Sequence, residues 1–172
     1  MEPKTRRVAL AAIFGAVIFL SKTFLPSPID KMFILVPALL LALGALVLGR
    51  MGATYVATVG GILTALWRIS MAPFTLIFAV LYGLLVDSLF FILKIKTAEG
   101  NVKTSRLVAS MTLSTALLGV ISYYTTVHLA ELLPKIPMLE LIILAMGTVN
   151  GMVAGYLASI IWRGRFSFQS RE

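Results

Sequence analysis

No cysteine occurs among the 172 residues, so disulfides, thiolate metal sites and cysteine nucleophiles are excluded. Histidine occurs once, as His128, which leaves no basis for a histidine-built metal centre. Acid is scarce: seven Asp and Glu stand against fifteen Lys and Arg. No Ser-His-Asp or paired-carboxylate catalytic arrangement is plausible on one membrane face. His128 and Glu131 are neighbours in sequence, and a rim ion pair describes them better than a catalytic dyad. The phosphate-cradling Gly-x-x-x-x-Gly-Lys-Ser/Thr loop is missing, so no nucleotide hydrolysis by that route is expected. The expectation is a protein that is not an enzyme and carries no cofactor and no metal.

What the chain has in abundance is apolar surface. Hydrophobic residues make up 59% of it, and the mean hydropathy is +0.99. A soluble domain of this length has no interior large enough to hide so much of it. Six apolar segments are predicted as helices, at residues 8–25, 32–48, 53–66, 73–93, 107–129 and 139–162. The reading is an all-α membrane protein: one integral domain over 1–172, a six-helix bundle in the lipid bilayer of the cell membrane. The first segment resembles a signal peptide in having basic residues before an apolar run. No small-residue cleavage signature follows Leu20, so it reads as a retained helix.

The basic residues flank these segments and favour one side. With the N-terminus inside, eleven fall inside: Lys4, Arg6, Arg7, Arg50, Lys94, Lys96, Lys103, Arg106, Arg163, Arg165 and Arg171. Four fall outside: Lys22, Lys31, Arg68 and Lys135. This is the positive-inside asymmetry, and it predicts both termini in the cytoplasm. The net charge of +8 is thereby explained as topogenic, and no nucleic-acid partner is expected. The weak joint is the pair of helices 2 and 3, since a re-entrant helix 3 would invert everything after it.

Polar and small residues single out four places. Lys22, Trp67, Arg68, Tyr123, Tyr124, His128 and Asn150 put hydrogen-bonding or aromatic groups in the outer half of four helices, with Asn150 near the middle of helix 6. That is the pattern of a ligand pocket, against the alternative of an interfacial aromatic belt with snorkelling cations. Lys22 and Arg68 would favour a carboxylate or phosphate. Ala12, Gly15 and Ala16 form a smooth patch on helix 1, suited to an internal contact or to a separate membrane subunit. Gly147, Gly151 and Gly155 form a longer stripe on helix 6, expected to pack internally. Asp87 is the one acid deep in a predicted helix. A lone acid suits pairing with Arg50 or a nearby Ser or Thr better than a proton relay.

The size, the six helices and the opening Arg6-Arg7-Val8-Ala9-Leu10-Ala11-Ala12-Ile13-Phe14-Gly15-Ala16 resemble a substrate-binding S component of an energy-coupling factor (ECF) transporter. The family's basic start and its Ala-x-x-x-Ala patch correspond here to Arg6, Arg7, Ala12 and Ala16. The stretches from Val36-Pro37-Ala38 to Gly49 and from Gly52 to Gly61 are similar in style to its second and third helices. The resemblance implies capture of a vitamin-like small molecule outside, under loops that here hold Lys22, Asp30, Arg68 and Glu131. It implies docking through Ala12, Gly15 and Ala16 to a transmembrane coupling subunit driven by cytoplasmic ATPases. A second resemblance competes. Leu81-Tyr82-Gly83-Leu84-Leu85-Val86-Asp87 is similar to a Gly-Leu-Leu-x-Asp pattern in MreD-like rod-shape scaffold proteins, which bind no nutrient. A scaffold needs no pocket among Arg68, Tyr123 and Asn150, and that is the discriminating feature.

Overall fold

A computed structural model describes residues 3–24, 34–69, 72–95, 102–129 and 137–169. These form six α-helices in sequence: α1 (Pro3–Thr23), α2 (Leu35–Leu48), α3 (Gly52–Trp67), α4 (Ala72–Ile92), α5 (Thr104–Tyr124) and α6 (Pro137–Gln169). A single π-helical turn, Thr125–Leu129, extends α5. The expected link 26–31 and the loop holding Glu131, Pro134 and Lys135 lie outside the described residues. Three stretches among the described residues are long and apolar enough to cross a membrane: Ala72–Ile92, Thr104–Val127 and Glu140–Gly164. The chain is thus all-helical and has the makings of a membrane protein.

The boundaries moved for identifiable reasons. α1 starts at Pro3, five residues before the apolar run, because proline suits a first helical position and Arg6 and Arg7 are tolerated on exposed turns. α5 likewise begins three residues early, at Thr104, whose hydroxyl lies 2.6 Å from that of Ser159 on α6.

α2 and α3 are short, at 14 and 16 residues. At 1.5 Å per residue they extend only about 21 and 24 Å, against a hydrocarbon core of about 30 Å. Their environment accounts for this. α2 is apolar on every side and packs on α1, α3, α4 and α6, so neighbours cover it on most of its surface. The turn between them is tight: Gly49 and Met51 have φ of 77° and 63°, and the Gly52 N–H donates to Gly49 O at 2.9 Å. Gly44 then lies directly against Gly52.

α3 is the hub. Its small residues let three helices approach closely. Gly15 of α1 meets Val59 and Gly60, where an added Cβ would lie 2.6 Å from Val59 Cγ1 and 2.9 Å from Gly60 N. Gly83 of α4 meets Thr54 and Ala57, and Gly61 meets Ala79 of α4. On the far side of the bundle, Gly147, Gly151 and Gly155 of α6 lie on Thr115, Met111 and Val108 of α5. Such close backbone approach lets dispersion contacts hold helices together where no hydrophobic drive is present.

These contacts fix directions. Residues 15 and 22 of α1 pair with 60 and 68 of α3, so the two run parallel. Residue 61 pairs with 79 and 54 with 83, so α4 runs back. Residue 119 meets 143 and 108 meets 155, so α6 opposes α5. One end of the bundle therefore carries Arg6, Arg7, Arg50, Lys94, Lys103, Arg106 and Arg163, while Lys22 and Arg68 sit at the other. At the basic end Arg163 donates to Thr104 Oγ1 (2.7 Å) and Arg106 donates to Leu93 O (3.2 Å).

Asp87 has a structural assignment. Its carboxylate accepts from the backbone N–H of Ala53 (3.2 Å) and Thr54 (2.8 Å), and from the Thr54 hydroxyl (2.6 Å). The first N–H groups of a helix have no partner within it and carry partial positive charge. The residue at the N-cap of α3, Met51, provides no side-chain bond. A carboxylate on α4 thus caps α3 from the side, and Arg50 is not its partner.

Candidate functional site

A partly enclosed cavity of about 150 Å³ lies toward the Lys22–Arg68 end. All six helices, or the residues that adjoin them, contribute to its wall. α4 gives one face, through Phe74, Phe78 and Tyr82 at i, i+4 and i+8. Phe74 and Phe78 stack with centroids 6.4 Å apart and planes at 26°. α5 gives the facing wall through Leu118, Ser122 and Tyr123, followed by Thr126 in the π turn. Pro37 of α2, Thr64 of α3 and Ile143 of α6 close the sides. A cavity of this volume accepts a ring-sized organic molecule.

Lys22 and Arg68 supply its positive charge, and no acid is among the described lining residues. Arg68 donates to the backbone carbonyl of Lys22 at 2.8 Å, which ties the ends of α1 and α3 and holds the guanidinium beside the cavity. The hydroxyls of Thr64 and Thr126 already donate to backbone carbonyls, at 2.7 Å to Gly60 O and 2.7 Å to Ser122 O. Each retains acceptor capacity. Tyr82 differs. It is 5% exposed, and its hydroxyl has no hydrogen-bond partner among the described residues. The Ser110 hydroxyl is also buried without a partner among the described residues, but Ser110 does not line the cavity.

Of the sequence-predicted ligand residues, Lys22, Arg68 and Tyr123 come together here. Trp67 and Tyr124 do not. Each follows or precedes a lining residue by one position, and one step on a helix is a rotation of about 100°. Trp67 is 65% exposed and packs edge-to-face on Phe19, with centroids 6.4 Å apart; Tyr124 is 59% exposed. Both suit the interfacial-belt reading. Asn150 is half-buried, and lies seven residues, about 10 Å along α6, from the lining residue Ile143. The backbone of His128 belongs to the π turn; its side chain lies outside the described residues. Phe74, Thr75, Phe78, Tyr82 and Ser122 are lining residues that the sequence reading did not single out. The aromatic i, i+4, i+8 spacing on α4 was the available signal.

The helix 1 patch also divides. Gly15 and Ile18 are turned into the α3 contact, and Ala11 is buried, so Gly15 is not part of an outer docking face. Ala12 is exposed and Ala16 half-buried. Ala12 and Gly15 are three positions apart, and the α3 contact takes the side of α1 that Gly15 shares with Ala11.

The chain matches no protein-family model, no curated protein and no solved structure.

Proposed function

We propose that this chain is a membrane-embedded capture subunit for a small vitamin-like solute, of the energy-coupling factor S-component kind. In this reading it crosses the bilayer six times. The basic end and both termini face the cytoplasm, following the positive-inside rule. The Lys22–Arg68 end faces outside. The carrying observation is the cavity: aromatic and hydroxyl-bearing walls drawn from the whole bundle, with two cations and no described acid. A scaffold protein has no use for such a space. The Asp87 motif shared with the rod-shape scaffolds is accounted for by the capping of α3.

The chemistry asked of the chain is binding alone. Lys22 and Arg68 attract and orient an anionic group, and Phe74 and Phe78 offer a flat apolar wall. Delivery to the cytoplasm belongs to partners, a transmembrane coupling subunit and its ATPases. Mass spectrometry of small molecules carried through purification should find an anionic, ring-bearing solute. With that solute, Arg68→Ala should raise Kd about tenfold, within the range for a lost charge-assisted bond. Unchanged affinity by calorimetry would count against the site.

The remaining outer face of α1 provides the docking surface in this reading. Ala12→Trp should abolish co-purification of the coupling subunit and leave solute affinity as it is. The neighbouring Gly15→Trp should instead disrupt the fold, because Val59 and Gly60 occupy that space. Normal recovery of the coupling subunit with Ala12→Trp would remove α1 as the docking face.

A further inference from the structure

We propose that Tyr82 determines which solutes the cavity accepts, by donating its phenolic hydrogen to an uncharged acceptor at the far end of the ligand from its carboxylate. The inference rests on the capture reading above and adds to it a substrate class: a carboxylate joined through a planar ring to a ring nitrogen or carbonyl. Three observations carry it. Tyr82 lines the cavity. Its hydroxyl is buried and has no partner among the described residues, which is unfavourable for a donor that nothing else satisfies. Its depth is also distinctive: Tyr82 lies eight residues along α4 from Phe74, about 12 Å. The cations are at the opposite end, since Arg68 closes α3 just before α4 begins. A ligand held by both ends must therefore carry its two polar groups well apart, with an apolar body between them against Phe74 and Phe78.

At the Tyr82 end of the wall the group called for is an acceptor. Thr64 and Thr126 already use their hydroxyl hydrogens, whereas the Tyr82 hydrogen has no acceptor among the described residues. An aromatic ring with only C–H at its inner end would leave that hydroxyl unsatisfied. A site built around a polar group discriminates sharply against analogues that lack the matching one.

Three probes of matched shape separate the possibilities: 3-(pyridin-4-yl)propanoate, 3-phenylpropanoate, and 3-(pyridin-4-yl)propanamide. Binding is measured by calorimetry on the full-length protein in detergent. The pyridyl acid should bind about tenfold more tightly than the phenyl acid, and the amide should lose affinity through the missing charge. In Tyr82→Phe the two acids should bind alike, while thermal stability without ligand stays the same or rises, because an unpaired buried hydroxyl has been removed. Equal binding of the two acids to the native protein would overturn the role of Tyr82 and leave anion capture standing. Failure of both acids to bind would overturn the capture reading and this inference together. The comparison in native protein decides the matter even where the Tyr82→Phe protein is not recovered.

Discussion

Gly151→Leu is expected to lower the stability of the folded protein in detergent sharply. A Cβ at this position would overlap Thr115 Oγ1, and would lie 2.7 Å from both Met111 O and Thr112 Cα. Two of those three neighbours involve backbone on α5, so no side-chain rotation relieves the contact. α5 and α6 share the most extensive helix–helix contact of the bundle, and Gly147 and Gly155 pack in the same row one turn to either side. The helices must separate to admit a side chain, and separation removes the close packing along the whole row. The loss should approach the upper end for overpacking, about 3 kcal/mol. The measurement is the unfolding midpoint in a sodium dodecyl sulfate titration, with size-exclusion profiles as a second readout. Gly164→Ala is the control, since a Cβ there meets nothing within 4 Å. A Gly151→Leu protein as stable as this control would mean that α5 and α6 are not packed through the glycine row.

The helices were legible because apolar runs long enough to cross a membrane are rare and basic residues punctuate them. Height along each helix followed from the same count. Rotation about the helix axis did not, and most of the difference between the expected residues and the cavity lining comes from that. Tyr123 and Tyr124 have the same height and the same chemistry, yet one lines the cavity and the other is exposed. Arg68 and Trp67 repeat the case on α3. A row such as Phe74, Phe78 and Tyr82 marks a face by its own spacing, and so was readable in principle. The division of the helix 1 patch was not, because it depends on where α3 approaches, and that is decided by Gly60 on another element. Asp87 left a subtler trace. The turn Gly49-Arg50-Met51 before α3 offers no Ser, Thr, Asp or Asn to cap the helix, so the cap had to come from elsewhere in the fold.

Asp87→Ala should then be the most damaging single change at a polar position, with a loss of about 3 kcal/mol and without direct effect on solute affinity. Removing the carboxylate leaves two partly buried α3 backbone donors and the Thr54 hydroxyl without their acceptor. Asp87→Asn keeps one oxygen that can accept from a backbone N–H but offers a donor in place of the second oxygen. It should lose about half as much. The interaction is separable by a double-mutant cycle with Thr54→Val, which removes the 2.6 Å bond and leaves both backbone bonds. A structural cap predicts coupling between Asp87 and Thr54 in the unfolding free energy, and solute affinity unaffected by Asp87→Asn. A proton-carrying role predicts the reverse: stability insensitive to Asp87→Asn, and solute handling that depends on pH only when the carboxylate is present. Its bonds to two α3 amides and the Thr54 hydroxyl favour the first outcome, because a proton on that carboxylate would remove acceptors that the start of α3 needs.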